Sequence, residues 1–392
     1  MDRPQDGRAW KGNGVIENGL RRDTPLARRI KDRIRRDGPM TIDSFMSACL
    51  WDADYGYYRR QRIFGASGDF ITAADISQVF GELLGVWAGV VWQGVLGAPN
   101  PITIVEYGPG RGTMMRDVLR ASRIIPGFSD VARVHLVEAS NALVELQTAT
   151  LADFRSLLSW GRELDEFNPP AIIFANEFLD SWPVAQWIKT PVGWHIRGVV
   201  VDGEDNLQFA PINGDCPREA FEALRPNAPP GTVVESQRLD QLADALKALA
   251  DRGPIAVLMI DYGHTTPAAG DTLQAVREHK YESPLTSPGE ADLTVHVNFY
   301  DLASTLHRSG LALDGPVTQA EFLGSLGIVE RASRLMAANP ARATEIETGA
   351  ARLLAANGMG SRFKVLAARS PGLPSLPGFG ASRVSSAAPG PT

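Results

Sequence analysis

A short apolar segment that runs into a glycine-rich turn and then into a helical segment is the feature that most constrains the fold. Residues 102–105 read Ile-Thr-Ile-Val, residues 106–112 read Glu-Tyr-Gly-Pro-Gly-Arg-Gly, and a helical pattern follows at 113–123. Apolar strands of this length are typical of parallel sheets that are buried on both faces. The succession of strand, tight turn and helix is also the one that places a ligand at the carboxyl edge of such a sheet. The sequence therefore predicts an α/β fold.

Strand-like and helix-like segments alternate along most of the remaining chain. Further strands are predicted at 134–137, 157–160, 171–175, 255–260, 311–317 and 363–368. Helices are predicted at 24–37, from 41 onward, and at 76–96, 141–153, 237–250, 298–309 and within 318–357. Three segments at 184–188, 195–201 and 207–210 interrupt this rhythm and predict a β-meander, which we interpret as an insertion. Residues 263–292 and 370–392 are rich in turn-forming residues, so we predict a loop and an extended or disordered tail.

The composition is that of an ordinary globular protein with a small negative charge. Apolar residues make up 44% of the chain, charged residues 21%, and the formal net charge is −6. We expect no nucleic-acid binding, because a basic face is absent from the sequence pattern, and no membrane insertion, because no stretch approaches the ~18 apolar residues of a membrane span. Cys49 and Cys216 stand at no metal-ligand spacing, so we expect neither a disulfide framework nor a metal site.

The positive charge is carried mostly by arginine, which far outnumbers lysine. We interpret this bias as a habit of bacterial-type cytoplasmic proteins, because the arginines are spread over helices and loops without a basic stripe. A location in the mitochondrial matrix stays open, and so does the oligomeric state.

The spacing of the glycines indicates which ligand the turn suits. The dinucleotide fingerprint has its third glycine five positions after the first, and Thr113 stands at that position here. The pattern E-x-G-x-G-x-G instead suits S-adenosylmethionine (SAM), which has no pyrophosphate to seat on the helix N-terminus. Glycines would let the backbone approach the methionine and ribose portions closely. Glu138, which ends the second strand, is placed to accept hydrogen bonds from ribose hydroxyls. The predicted cofactor contacts are Glu106, Gly108, Gly110, Gly112 and Glu138.

Alternatives to this interpretation remain open from the residues alone. An acid at the end of the second strand also occurs in nicotinamide-dependent oxidoreductases, although Thr113 disfavours that class. A tight turn followed by a surface glutamate is the purely structural alternative.

A polar run leaves the fourth predicted strand, at residues 176–183 (Asn-Glu-Phe-Leu-Asp-Ser-Trp-Pro). Loop residues held by a rigid sheet commonly carry function. In a SAM-binding sheet, the exit of this strand is the usual location of residues that face the transferable methyl group. The structural alternative is a capped helix start, with Asn176 or Asp180 as the cap.

Several stretches along the chain match one known family in order. They are residues 38–42, 45–46, 55–58, 68–72, 76–82, 106–112, 176–183, 261–263, 292–299, 318–319, 322–323 and 363–366. In them the chain resembles the SAM-dependent methyltransferase family that includes mitochondrial complex I assembly factor 7 and the slime-mould mitochondrial dysfunction protein A (the MidA-like family).

This resemblance implies a class I methyltransferase core, Rossmann-like and seven-stranded, with an N-terminal helical segment and a β-insertion. The expected organisation is a flexible arm at 1–24, a helical segment at 25–100 that covers the active site, a core at 101–368, and a Pro/Gly-rich tail at 369–392. The β-rich insertion is expected at about 184–235 within the core.

The resemblance also implies methyl transfer to a protein, most often to arginine, since mitochondrial members act on an arginine of a complex I core subunit. A guanidinium has a pKa above ~12, so its charge must be dispersed by carboxylates. Glu177 and Asp180 are the candidate catalytic residues for gripping it, with Asn176 toward the methyl donor. Phe178 and Trp182 either stack on its plane or pack in the core.

Two residues of the N-terminal segment, Thr72 and Gln78, are predicted to contact the cofactor; a helix cap and a hydrogen bond between helices are their structural alternatives. Two other functions compete with the one implied. The first is a non-catalytic SAM-binding assembly or scaffold protein, and the second is a nicotinamide-dependent oxidoreductase.

Overall fold

The computed structural model describes residues 21–59, 73–225, 227–266 and 269–380. The helices are α1 (Pro25–Asp37), α2 (Ile42–Trp51), α3 (Ala73–Ile76), α4 (Gln78–Gly94), α5 (Thr113–Ser122), α6 (Phe128–Val131), α7 (Asn141–Thr150), α8 (Arg218–Leu224), α9 (Asp240–Arg252), α10 (Phe299–Arg308), α11 (Gln319–Ser325), α12 (Ile328–Ala338), α13 (Ala343–Leu354) and α14 (Met359–Arg362). Short 3₁₀ turns span Tyr57–Arg59, Ala152–Leu157 and Pro340–Arg342.

The strands are β1 (Met40–Thr41), β2 (Ile102–Tyr107), β3 (Ala132–Val137), β4 (Leu158–Gly161), β5 (Ala171–Asn176), β6 (Val184–Thr190), β7 (Gly193–Val201), β8 (Leu207–Ile212), β9 (Val233–Gln237), β10 (Ile255–His264), β11 (Gln274–Arg277), β12 (Lys280–Glu282), β13 (Asp292–Thr294), β14 (Val297–Asn298), β15 (Ala312–Thr318) and β16 (Phe363–Arg369). The strands predicted from the sequence are all present, with ends that differ by a few residues.

Two predictions of irregular structure are wrong. The segment 263–292, predicted as a loop, contains β11 and β12 and the start of β13, which pair antiparallel in the order β12–β11–β13. Its hairpin turns at Glu278 and His279, both in the left-handed region (φ +51° and +62°). Such turns usually carry Gly, Asn or Asp, so this hairpin gives no turn signal in the sequence.

The tail is also more ordered than predicted, as far as residue 380. Leu376 and Phe379 are buried in the core, and the Trp87 indole N–H donates to the carbonyl oxygen of Pro377 at 2.9 Å. Residues 381–392 and most of the predicted N-terminal arm lie outside the described residues.

The chain divides into two compact units. The first comprises residues 1–71, 178–239 and 266–301, and the second comprises residues 72–177, 240–265 and 302–392. No helix in the described ranges is both long and apolar enough to cross a bilayer.

The first unit combines α1 and α2 with β-rich segments. Thr24 caps α1, because its hydroxyl accepts a hydrogen bond from the Ala27 N–H at 3.0 Å, and Pro25 opens the helix. One sheet follows the order β1–β7–β6–β9, with β8 also on β7, and Met40 of β1 pairs with Val199 of β7. Its core contains Leu26, Ile30, Ile34, Ile42, Phe45, Met46, Leu50, Val184, Val199, Leu285 and Leu293.

The second unit is built on a seven-stranded path in the order β4–β3–β2–β5–β10–β16–β15. The strands from β4 to β10 are parallel, and β16 is antiparallel to both of its neighbours. The chain proceeds outward from β2 through β3 to β4, then returns to β5 on the other side of β2. This reversal creates a switch point between β2 and β5, where open α/β sheets bind ligands. The predicted fold class is confirmed.

A stripe of glycines on α4 lets this helix approach α5 closely. Gly81, Gly85 and Gly89 are four residues apart, so they share one helix face. A Cβ atom added at Gly85 would lie 2.4 Å from the carbonyl oxygen of Val118, and one added at Gly81 would lie 2.7 Å from the Cβ of Asp117. The contact fixes α5, the helix that begins at the end of the glycine-rich turn.

We expect the substitution Gly85→Ala to destabilise the protein although alanine is the better helix former. Overpacking against backbone outweighs the gain of about 1 kcal/mol in helix propensity, for a net loss of about 1–2 kcal/mol in the free energy of unfolding. Urea denaturation measures this loss. The matched control is Gly94→Ala in the same helix, where an added Cβ meets no atom within 4 Å. Equal effects of the two substitutions would contradict the close-approach explanation.

Candidate functional site

Three neighbouring parallel strands of the second unit, β3, β2 and β5, end at the same edge of the sheet, and the parallel strand β10 runs past this edge to His264. Tyr107 of β2 lies in register with Val137 of β3 and Ala175 of β5, and Asn176 of β5 pairs with Ile260 of β10. The residues that follow this row are Gly108, Glu138, Glu177 and Asp261. Residues predicted from separate motifs therefore align along the carboxyl edge, on both sides of the switch point.

The turn after β2 needs its three glycines for conformational reasons. Gly108, Gly110 and Gly112 have φ angles of +61°, +52° and +77°, in the left-handed region where residues with a Cβ atom are strained. The Gly108 N–H donates to the carbonyl oxygen of Val137 at 3.1 Å, and the Gly112 N–H donates to that of Pro109 at 2.8 Å. The predicted glycine motif thus forms a defined turn that is tied to the neighbouring strand.

A glutamine of α7 joins this turn to Glu138. The Gln147 side-chain N–H₂ donates to the carbonyl oxygen of Gly110 at 2.8 Å and to Oε2 of Glu138 at 3.0 Å. Its Oε1 accepts a hydrogen bond from the Trp160 indole N–H at 2.9 Å. The backbone N–H of Ser140 donates to Oε1 of Glu138 at 2.8 Å. Both carboxylate oxygens of Glu138 are therefore held in place.

Burial and hydrogen bonding act in opposite directions on the pKa of the Glu138 carboxyl group. Its side chain is 9% exposed, and burial raises the pKa of the carboxyl group. The hydrogen bonds from Ser140 and Gln147 act in the opposite direction, because they favour the ionised form. Burial is the larger effect, so the pKa stays raised, and the hydrogen bonds fix the geometry of the carboxyl group.

Glu106 lies at the penultimate position of β2, and hydrogen bonds do not offset the effect of its burial on the pKa. The residue is 4% exposed, and its Oε2 has no hydrogen-bond partner among the residues that the structure describes. Burial raises the pKa of this carboxyl group to about 8. An uncompensated buried acceptor costs about 1–3 kcal/mol, which a donor or a positive charge from a ligand would recover.

At the end of β5, Asn176 and Glu177 form a second polar group at this edge. The Oδ1 of Asn176 is buried and has no hydrogen-bond partner in the described part of the chain, while its Nδ2 lies 3.4 Å from Oε1 of Glu177. The Ala73 N–H, at the start of α3, donates to Oε1 of Glu177 at 2.8 Å. Glu177 has a φ angle of +49°, an uncommon conformation for a residue with a long side chain.

The rest of the predicted polar run belongs to the first unit. The Asp180 residue is 8% exposed, and its carbonyl oxygen accepts a hydrogen bond from the Val295 N–H at 2.9 Å. Phe178 and Trp182 contact each other edge to face, with ring centroids 5.5 Å apart, and the Trp182 indole N–H donates to the carbonyl oxygen of Arg238.

The structure describes only one of the two residues predicted in the N-terminal segment to contact the cofactor. Thr72 lies outside the described residues. Gln78 begins α4 directly after the capping residue Ser77, and its Nε2 lies 3.4 Å from Oε1 of Glu82 in the next turn. The cofactor contact predicted for Gln78 stays a prediction.

Gln147 and Trp160 are the site residues that sequence reasoning missed. A weak signal existed for Gln147, because it stands four residues after Leu143 in a predicted helix and so shares its buried face. A fully buried glutamine needs partners for its amide. The sequence does not indicate which partners those are.

The arrangement as a whole can hold a nucleoside-like ligand. It offers a turn whose backbone is open to close approach, a fixed carboxylate for hydroxyl groups, and buried acceptors on β2 and β5. In the described ranges, no group of three or more His, Cys, Asp or Glu residues could hold a metal ion.

Comparison with known proteins identifies relatives over most of the chain. Residues 83–317 match the sequence model of a family described as "Putative S-adenosyl-L-methionine-dependent methyltransferase". The mitochondrial protein arginine methyltransferase NDUFAF7 of Rattus norvegicus is 35% identical over 88% of this chain and 84% of its own length. The Homo sapiens protein of the same name is 33% identical over 91% of this chain and 85% of its own length.

Two solved structures share the fold. A Burkholderia thailandensis protein bound to S-adenosyl-homocysteine matches with a TM-score of 0.79 at 23% identity, covering 92% of this chain and 97% of that chain. A native structure from the same organism matches with a TM-score of 0.77 at 24% identity, covering 93% of this chain and 98% of that chain. The family model and the relatives of 33–35% identity show that the chain belongs to the family of S-adenosyl-L-methionine-dependent methyltransferases that contains the NDUFAF7 proteins.

Proposed function

We propose that this chain transfers a methyl group from SAM to an arginine side chain of a protein. The observation that carries the proposal is the left-handed glycine turn beside the switch point, joined by Gln147 to Glu138 after β3, within a chain of a SAM-dependent family. Relatives named protein arginine methyltransferase, 33–35% identical to this chain, support arginine as the acceptor. A subunit of respiratory complex I stays the predicted substrate.

The residues at the carboxyl edge fit this cofactor. SAM carries an ammonium group and two ribose hydroxyls, all of which are donors. Glu106 Oε2 and Asn176 Oδ1 are buried acceptors without hydrogen-bond partners in the described residues. We assign the ribose to Glu138, the donors of the methionine portion to Glu106 and Asn176, and the close backbone contact to the glycine turn. When bound, the cofactor supplies a sulfonium whose methyl group is electrophilic.

Glu177 is the carboxylate that we propose for the acceptor guanidinium. Its Oε1 is held by the Ala73 N–H, so the carboxylate does not need to be ordered when the substrate binds. Its left-handed backbone costs about 1–3 kcal/mol, and such strain persists mostly at functional sites. A fixed carboxylate disperses the cationic charge and holds one guanidino nitrogen in line for transfer, and orientation of this kind supplies up to about 7–11 kcal/mol.

The roles of the remaining site residues stay predictions from the sequence. Asp180 stays a predicted second carboxylate for the guanidinium, and Thr72 and Gln78 stay predicted cofactor contacts.

The substitution Gly110→Val tests the cofactor turn. A β-branched residue at a φ of +52° forces the turn to rearrange, so we expect SAM binding to be abolished while the fold is retained. Calorimetric titration and circular dichroism measure the two properties. The matched control is Gly97→Val, also at a left-handed glycine (φ +76°), where an added Cβ meets no atom within 4 Å. Normal SAM affinity in Gly110→Val would refute the placement of the cofactor.

The substitution Glu106→Gln tests the buried carboxyl group through the pH dependence of stability. In the cofactor-free protein its pKa is raised to about 8, above the ordinary 4.5. Between these values the folded state keeps a proton that the unfolded chain has released, so the contribution of Glu106 to stability is full below about pH 4.5 and is lost as the pH rises through about 8.

Because glutamine does not ionise, Glu106→Gln should gain stability relative to the unaltered chain as the pH rises from about 5 to 8, by at most about 1.4 kcal/mol per pH unit. Urea denaturation at several pH values measures the difference. Parallel stability profiles of the two proteins would show that the carboxyl group is not desolvated in this way.

The substitution Glu177→Gln tests the proposed acceptor role. We expect arginine methylation to slow by about 100-fold, the effect of losing one charge that stabilises the transition state, while SAM affinity changes less than twofold. Mass spectrometry of the proteome, in cells that carry either form, measures the methylation. Glu278→Gln is the matched control, because Glu278 is also a left-handed glutamate (φ +51°) but lies in the β11–β12 hairpin. Unchanged arginine methylation in Glu177→Gln would contradict the mechanism.

A further inference from the structure

The Gln147 side chain has only one orientation that satisfies its surroundings. The residue is fully buried, and the Trp160 indole N–H, which can only donate, points at its amide. The amide oxygen must therefore face Trp160, and the amide nitrogen must face Gly110 and Glu138. Both of its N–H groups find acceptors, at 2.8 and 3.0 Å.

The same amide contacts both halves of the proposed cofactor site. Gly110 is the middle glycine of the turn, and Glu138 is the carboxylate that follows β3. Ser140 holds the other oxygen of this carboxylate, so removal of the Gln147 amide would free Oε2 alone and would also leave the carbonyl oxygen of Gly110 without this donor. An apolar side chain of similar length would preserve the packing and lose these two hydrogen bonds and the one accepted from the Trp160 indole N–H.

We propose that Gln147 is a positioning residue for the cofactor: it holds the carboxylate of Glu138 at a fixed distance from the glycine turn, and Trp160 orients it. The inference rests on the proposed function, because it assumes that this turn and Glu138 bind SAM. Gln147 acts through Glu138 and Gly110 and does not itself need to touch the ligand.

Calorimetric titration with S-adenosyl-homocysteine tests the role of Gln147. In Gln147→Met we expect the affinity to fall by about 10- to 100-fold, the effect of losing the two hydrogen bonds that the amide donates to Gly110 and to the carboxyl group of Glu138. In steady-state kinetics the KM for SAM should rise while the KM for the protein substrate stays unchanged. The matched control is Gln319→Met, since Gln319 is also fully buried in the second unit and donates to the carbonyl oxygen of Leu353. The control should keep the affinity of the unaltered chain.

A double-mutant cycle separates positioning from general destabilisation. If Gln147 acts largely through Glu138, the substitution Gln147→Met should weaken ligand binding less in a Glu138→Ala background. We expect the fold loss in affinity there to be at most about a third of the fold loss in the unaltered chain. Equal fold losses in the two backgrounds, or unchanged affinity in Gln147→Met, would overturn the inference. Should Gln147→Met fail to fold, Trp160→Phe removes the indole N–H together with one ring of the side chain and should weaken binding about threefold; unchanged affinity there would overturn the inference equally.

Failure of this inference is distinguishable from failure of the proposed function. An unaltered chain that does not bind S-adenosyl-homocysteine overturns the cofactor assignment and the role of Gln147 together. An unaltered chain that binds it, with normal affinity in Gln147→Met, overturns the role of Gln147 alone.

Discussion

The backbone between β2 and α5 takes left-handed conformations at Gly108, Gly110 and Gly112, and much of the second unit is arranged around this turn. Only glycine adopts such conformations without strain. The helix that follows is fixed by the close approach of α4, which depends on glycines of its own. On the other side, Gln147 joins the turn to Glu138. The turn thus connects the start of α5, the carboxyl group of Glu138 and the proposed cofactor position.

The sequence predicts this part of the molecule well, because the signals are local. An apolar run before a glycine-rich turn identifies β2, and the exit of the next apolar run identifies Glu138. In a parallel sheet these strand ends meet at one edge, so their proximity follows from the fold class. The role of Gln147 does not follow in this way. Its partners lie 37, 13 and 9 residues away along the chain, and only the packed structure brings them together.

The segments that were predicted wrongly lack local signals. The β11–β12 hairpin turns at Glu278 and His279, neither of which marks a turn, inside a segment rich in glycine, proline and serine. In the tail, proline content suggests an extended chain, but two apolar side chains, Leu376 and Phe379, reach the core. Burial of two apolar side chains stabilises a short segment in one position, but two residues hardly change the average composition from which the tail was predicted.

The two polar groups at the carboxyl edge are costly without a ligand. Glu106 is a buried carboxyl group whose Oε2 lacks a hydrogen-bond partner in the described residues, and Glu177 holds a strained backbone conformation. Features of this kind persist where function requires them. Glu106 and Glu177 both lie beside the switch point of the sheet, in a chain that belongs to a SAM-dependent family. The buried carboxyl group of Glu106 supports the assignment of the cofactor, and the strained backbone of Glu177 supports the assignment of the acceptor guanidinium.

The most direct test of the central claim is a crystal structure of the chain with S-adenosyl-homocysteine. We expect the nucleoside at the glycine turn, with ribose hydroxyls within about 3 Å of the Glu138 carboxylate. A ligand bound elsewhere, or a Glu138 carboxylate that makes no contact with the ribose, would contradict that claim.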